Sequence, residues 1–273
     1  MRSAGLLTWS GLFTKLSEKK SNAFDFVVVD EAQDIGIAQL RFLAALTTKQ
    51  LFFAGDLGQR IFQQPFSWKS LGVDIRGRSF TLRINYRTSH QIRSRADRLL
   101  GPELSDVDGN TEKRGGTVST FNGPPPEIQT LSSEDAEIRF VSEWLIKQAS
   151  QPQEIGVFVR GDAQLERARQ ALLAAKIPFK VLDENFETTT GHAYISTMHL
   201  AKGLEFRTVV VMACDDEVIP SQERIQTIGD DADLEEVYAT ERHLLYVACT
   251  RARDYLLVTG VKPASEFLDD LQP

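Results

Sequence analysis

The run Phe24-Asp25-Phe26-Val27-Val28-Val29 is rich in β-branched and aromatic residues and stops abruptly at Asp30-Glu31. It reads as a buried parallel strand that delivers two carboxylates at its C-terminal end, the edge where α/β sheets place ligands. One acid of such a pair can hold a nucleotide-bound magnesium while its neighbour polarises an attacking water, because metal and water lie side by side at a γ-phosphate. Taken alone, a solvated strand terminus accounts for the two acids equally well.

The flanking pattern extends the strand into a fold class. Residues 39–46 have helical apolar spacing, and 51–54 form a second short strand ending in Gly55-Asp56, so the order β-α-β predicts a parallel sheet. Arginine is dense over 76–98 (Arg76, Arg78, Arg83, Arg87, Arg93, Arg95 and Arg98), and a Gly/Pro/Asp-rich stretch over 101–116 follows. A domain boundary is expected there, with a first part over 1–93, a linker over 94–116 and a second part over 117–273. In the second part the alternation resumes, with strands at 127–131, 155–160, 179–182, 193–197, 208–213 and 255–259 and helices at 134–148, 163–175 and 234–250. Pro124-Pro125-Pro126 reads as a stiff surface connection, and no fixed-period repeat is visible.

Composition sets outer limits. The chain has 273 residues, 42% of them hydrophobic and 25% charged, as in an ordinary globular protein. A net charge of -7 argues against non-specific coating of nucleic acid, so any such contact must be local. Cys214 and Cys249 lie in apolar stretches without metal-ligand spacing and read as buried free thiols in a reducing cytoplasm. The N-terminal segment does not read as a signal peptide, because Thr8, Trp9, Ser10 and Gly11 interrupt its apolar run and no small-residue cleavage site follows. No apolar run approaches the roughly 18 to 20 residues of a membrane span, so no membrane partner is expected.

Five segments in order resemble the motifs of the UvrD/Rep/PcrA family of superfamily 1 DNA helicases, over nearly the whole chain from Phe24 to about Thr259. Asp30-Glu31-Ala32-Gln33-Asp34 resembles motif II and Gly55-Asp56-Leu57-Gly58-Gln59-Arg60-Ile61-Phe62 motif III. Leu82-Arg83-Ile84-Asn85-Tyr86-Arg87 is similar to motif IV, and the segment from Thr197 to Phe206 to motif V. The segment from Glu241 to Ala252 is similar to motif VI. The resemblance implies an ATP- and Mg²⁺-dependent 3′-to-5′ motor on single-stranded DNA, built on RecA-like α/β domains of the P-loop NTPase type. Asp30, with Glu31 beside it, would hold the metal, Glu31 would activate water, and Gln59 would sense the γ-phosphate and couple it to DNA. Arg87 and Arg251 would be the two arginine fingers. Glu205 would contact the nucleotide ribose, and Tyr86 is read as packing or a nucleotide-side contact. Thr197 and His199 would touch single-stranded DNA.

Each role has a plainer competitor. Arg87 and Arg251 could be surface charges, His199 a satisfied core histidine, and Lys202 and Arg242 simple neutralisers of nearby acids. There are also departures from the family pattern. Phe62 occupies the first base-stacking place of motif III, but Gln64 stands where a tryptophan is common, and Phe66 and Trp68 follow later. Between motifs IV and V there is room for about one compact α/β domain, so the family's accessory duplex-binding domain is expected to be missing. A P-loop cradles phosphates with backbone N–H groups and a lysine that directly follows a glycine. No lysine follows a glycine anywhere in this chain. The expectation is one complete C-terminal RecA-like domain plus the truncated end of a first, ATPase-deficient alone and completed by a polypeptide carrying the P-loop half. The alternative is a non-catalytic regulatory module that binds DNA or a helicase. A nuclease-linked helicase part finds no support, because no carboxylate cluster with nuclease-like spacing lies outside the motor motifs.

Overall fold

The computed structural model describes residues 7–19, 21, 23–61, 78, 80–105, 109, 111–113, 116–148, 150–183, 189–227, 229 and 231–272. The chain divides into two compact units, Met1–Thr81 with Leu104–Glu112 and Leu82–Glu103 with Lys113–Pro273.

The first unit contains α1 (Trp9–Ser17), β1 (Phe24–Val29), α2 (Ile37–Leu46) and β2 (Thr47–Phe53). Thr8 starts α1 by accepting the Gly11 N–H at 3.1 Å, satisfying one of the donors that a helix N-terminus leaves open. α1 lies against α2, with the Phe13 and Phe42 ring centroids 5.5 Å apart. β1 and β2 pair in parallel, Val27 opposite Leu51 and Val28 opposite Phe52. The expectation of a buried strand is corrected: Phe24, Phe26 and Val28 are 55%, 62% and 72% exposed, and Phe52 is 64% exposed. Residues i, i+2 and i+4 share one face of a strand, and among the described residues β2 is the only strand paired with β1 and none of this unit covers that face.

The second unit begins with β3 (Ile84–Asn85) and α3 (His90–Ala96). The short strands β4 (Glu103–Ser105) and β5 (Thr111–Lys113), which pair with each other, belong for the most part to the first unit, while β6 (Val118–Ser119) pairs with β3. Leu82–Arg87, placed with the first part by the sequence reading, bonds instead within this unit. The Val118 N–H donates to the Arg83 carbonyl at 2.7 Å and the Thr120 N–H to the Asn85 carbonyl at 2.9 Å.

The rest is β7 (Glu127–Leu131), α4 (Glu134–Gln148), β8 (Ile155–Val159), α5 (Leu165–Ala174), β9 (Phe179–Val181), β10 (Ala193–Thr197), β11 (Phe206–Val211), α6 (Gln222–Gln226), α7 (Asp231–Cys249), β12 (Ala252–Val261) and α8 (Phe267–Leu271). Six strands form one sheet in the order β7-β12-β11-β8-β10-β9, every neighbouring pair parallel. The expected α/β class is therefore borne out. Val157, Ile195, Val210 and Leu257 pack with Val141, Leu145, Ala168 and Leu172 of α4 and α5 in one core. Phe206 contacts the rings of Phe158 and Tyr194. A Cβ on Gly156 would meet the Phe206 ring at 2.5 Å, so the sheet closes over this ring only because position 156 lacks a side chain. Each fully buried aliphatic or aromatic side chain here contributes about 1.5–3 kcal/mol. Both cysteines are buried free thiols, and burial pushes Cys249 up to about 12.

A buried ionic knot ties α4 and α5 to the ends of β11 and β12. Glu137 accepts the Ala213 N–H at 3.0 Å and the Thr259 hydroxyl at 2.5 Å, and it pairs with Arg167. Arg167 also reaches Asp215 at 2.6 Å, which accepts the Val261 N–H at 2.7 Å. Burial raises the Glu137 carboxyl above its ordinary value, with Thr259 and Arg167 opposing the rise. For Arg167, burial works against the charge, but Asp215 and Glu137 outweigh it and hold the guanidinium charged. Removing one partner of such a knot strands a charge in a dry site. Arg167→Leu should lower the urea-unfolding free energy of this unit by about 3–5 kcal/mol, and Glu137→Gln, which keeps hydrogen-bonding atoms at the same place, by distinctly less.

Candidate functional site

The predicted site residues fall into one group in the first unit and two in the second. In the first, β1 ends at Asp30, whose Oδ1 accepts the Glu31 N–H at 2.8 Å. Glu31 has φ 51°, the left-handed region that non-glycine residues rarely enter. It caps a short 3₁₀ turn, Ala32–Asp34, that doubles the chain back after the strand. The Ala54 N–H donates to the Val29 carbonyl at 2.8 Å and the Ala32 N–H to the Ala54 carbonyl at 2.9 Å, so the ends of β1 and β2 leave the sheet together.

Gln33, to which the sequence reading assigned no role, joins the two ends. Its amide donates to Glu31 Oε2 at 2.5 Å, and its Oε1 accepts the Asp56 N–H at 3.1 Å. Asp56 in turn accepts the Gly58 N–H at 2.7 Å and the Gln59 side-chain amide at 2.9 Å. The signal was present in sequence only as an amide residue two places after the acid, which carries no geometry by itself. Phe62 and Trp68, predicted to stack on DNA bases, lie outside the described residues, as do Gln64 and Phe66.

Asp30 and Glu31 are both exposed at the strand end and offer the hard oxygen donors that magnesium prefers. No cluster of three or more His, Cys, Asp or Glu groups able to hold a metal occurs among the described residues. Two carboxylates suit a magnesium ion that arrives on nucleotide phosphates, not one held in an all-protein cage.

In the second unit, motifs IV, V and VI are joined by hydrogen bonds. Asn85 Oδ1 accepts the Arg87 N–H at 2.9 Å and the Thr88 N–H at 3.3 Å, and this side-chain turn shapes the Tyr86-Arg87 loop. The Thr88 hydroxyl donates to the Thr250 carbonyl at 3.3 Å and the Ser89 N–H to the Arg253 carbonyl at 3.1 Å. The Phe206 N–H donates to the Arg251 carbonyl at 2.9 Å. Arg87 Nε stands 3.5 Å from Glu205 Oε2, and Arg251 Nη1 donates to the carbonyl of the adjacent Leu204 at 3.3 Å. Arg87 and Tyr86 are exposed, whereas Arg251 is 4% exposed and also donates through Nε to the Val247 carbonyl at 3.0 Å. The surface-charge reading of Arg251 is thereby excluded; Tyr86 is 70% exposed. Gln153, Thr189, Thr190, Tyr194 and Gly203–Phe206 line a neighbouring cavity of about 490 Å³.

Thr197, the last residue of β10, and His199, on the 3₁₀ turn that follows, form the third group. Thr197 pairs with Val159, which sets the turn beside Arg160 at the end of β8. Arg160 grips Glu241 through two bonds of 2.6 Å, and Arg224 reaches the same carboxylate at 3.0 Å. Glu241 is fully buried, so two arginines hold it in place. His199 is half-buried; burial, and then Arg160, lower its pKa from the ordinary 6.5. Arg242 does neutralise an acid, Asp270, and its guanidinium also lies 4.3 Å from the Phe267 ring centroid.

This architecture is α/β of the RecA-like type, with acids at one strand end and arginines gathered around a glutamate. Residues 6–68 match the model of the UvrD/REP helicase N-terminal domain, and residues 184–262 that of the UvrD-like helicase C-terminal domain. The chain belongs to the UvrD-like helicase family. A "Probable DNA helicase" of Mycoplasma pneumoniae is 23% identical over 271 residues, 92% of this chain and 46% of the relative. An "ATP-dependent DNA helicase PcrA" of Staphylococcus epidermidis is 38% identical over 80 residues, 29% of this chain and 10% of the relative. The solved C-terminal domain of a possible DNA helicase from Lactobacillus plantarum aligns with a TM-score of 0.48 at 22% identity, covering 69% of this chain and 94% of that one. The chain spans less than half the length of these curated relatives. Among the described residues no helix is long and apolar enough to cross a membrane.

The lowered pKa of His199 has a definite sign. The fold favours the neutral ring, so this contribution to stability is full above the unfolded value near 6.5 and is lost as pH falls through the folded value. The His199 ring, followed by NMR, should therefore titrate below 6.5, and His199→Gln should flatten the loss of stability on acidification through that window.

Proposed function

We propose that this chain supplies the acids, the sensor and the arginines of an ATP-dependent 3′-to-5′ DNA helicase or translocase, whose ATP hydrolysis drives movement on single-stranded DNA. The observation that carries the reading is that Arg87 meets the Glu205 carboxylate while Arg251 donates to the carbonyl of the adjacent Leu204, which brings both arginines to one short segment. A triphosphate needs fixed positive charge at the transferring group and an acceptor for the ribose hydroxyls, and these residues offer both. In the first unit Asp30 would hold a phosphate-bound magnesium, Glu31 would take the proton of the attacking water, and Gln59 would report the γ-phosphate. Thr197 and His199 would contact the DNA strand.

The phosphate cradle itself is not encoded here, because no glycine in this chain is followed by lysine. A polypeptide bearing the P-loop half would supply it, and the uncovered row Phe24, Phe26, Val28 and Phe52 is the apolar strand face such a half would cover.

Two measurements test the reading. The chain alone should show no micromolar binding of a fluorescent ATP analogue. Mixed with the P-loop-bearing N-terminal half of a relative, it should give ATP hydrolysis that single-stranded DNA stimulates, and Glu31→Gln should abolish turnover while nucleotide binding persists. An active native half paired with a chain that yields no DNA-stimulated hydrolysis would leave the regulatory-module reading in its place.

A further inference from the structure

We infer that Gln33 is a positioning residue that locks the water-activating acid to the γ-phosphate sensor, so that Glu31 and Gln59 move as one body. This inference rests on the roles proposed above for those two residues, but its geometry stands on its own. Gln33 is 7% exposed, and both ends of its amide are engaged, the NH₂ by Glu31 Oε2 at 2.5 Å and the oxygen by the Asp56 N–H at 3.1 Å. Asp56 continues the line to the Gln59 amide at 2.9 Å. Four residues from two separate loops thus form one chain of donors and acceptors: Glu31, Gln33, Asp56 and Gln59.

An amide suits this post because it donates from one end and accepts at the other. A carboxylate at position 33 would accept from Asp56 but set a like charge against Glu31. An aliphatic group would leave the Asp56 N–H without this acceptor. The backbone is cut to fit the amide. A Cβ on Gly55 would lie 2.4 Å from Gln33 Oε1, so the absence of a side chain at 55 is what admits the Gln33 head. The left-handed Glu31 backbone places its carboxylate over the turn from which Gln33 projects. A sensor that shifts when the γ-phosphate arrives or leaves therefore pulls on the acid through three hydrogen bonds, and the acid is held in line when the sensor is seated.

The test uses the full chain, alone and mixed with a P-loop-bearing half. In the chain alone, hydrogen–deuterium exchange reads the Asp56 amide. Gln33→Ala should raise its exchange rate about tenfold or more, while Gln33→Glu, which keeps the acceptor, should leave it near native. In the mixture, both variants should lower kcat about ten- to a hundredfold, the scale for a misplaced catalytic group, with the KM for ATP within about twofold of native. Gly55→Ala should share the kcat loss by pushing the amide from the other side, and Gln33→Ala/Gly55→Ala should be no worse than Gln33→Ala alone. Should Gln33→Ala fail to fold, Gln33→Glu and Gly55→Ala carry the test. Native exchange at Asp56 in Gln33→Ala, a change in KM alone, or additive losses in the double variant would overturn the inference. A mixture in which the native chain shows no hydrolysis counts against the proposed function, and the exchange result then decides the lock by itself.

Discussion

A parallel β-sheet must be covered on both faces, because its strands carry apolar side chains above and below and its crossovers put helices there. That requirement divides this molecule. In the second unit six parallel strands lie with α4 and α5 on one face, and α7 packs against β11 and β12. In the first, β1 has β2 as its paired strand and leaves Phe24, Phe26 and Val28 bare.

The chemistry-bearing loops inherit their positions from the sheet and from backbone bonds, with charge attraction adding little. An exposed ion pair such as Arg87–Glu205 is worth about 0–1 kcal/mol. The bonds Thr88–Thr250, Ser89–Arg253 and Phe206–Arg251 contribute about 0.5–1.5 kcal/mol each and act on chain segments already stiffened by β11 and β12. Arg87 is therefore brought to Glu205 by its loop, and the pair reports that placement. The same logic holds at His199, where the β8–β10 register sets Arg160 beside the turn before Arg160 reaches Glu241.

Much of the second unit was legible in the residues. Short strand-like segments marked 127–131 and 193–197 and helical spacing marked 134–148, and these bounds coincide with β7, β10 and α4. The Asp-Glu pair at a strand end was visible for the same reason, as an abrupt stop of β-branched residues. Other features were not legible. β1 shows the pattern of a buried strand, but burial depends on neighbours that a local pattern does not name. Leu82–Arg87 lies among arginines before a Gly-rich stretch and so looked like the end of the first part. Its membership in the second unit comes from long-range bonds of Arg83 and Asn85 to 118–120. The knot of Glu137, Arg167 and Asp215 joins residues tens of positions apart in sequence, a separation that a local pattern does not bridge. Arg251 was expected as a helix-end arginine, but its turn toward the carbonyls of Val247 and Leu204 is a matter of rotamer, on which sequence is silent.

The left-handed backbone at Glu31 subjects one position to two independent filters. Conformation alone favours glycine, asparagine and aspartate there and penalises β-branched residues, whose crowding at positive φ is severe. The proposed proton acceptor demands a carboxylate. Glutamate passes the second filter while paying the first, a strain of order 1–3 kcal/mol. At position 31 glycine and asparagine would relax the loop but silence it, and aspartate would relax it while keeping the charge on an arm one methylene shorter, so the reach of glutamate is what the strain sustains.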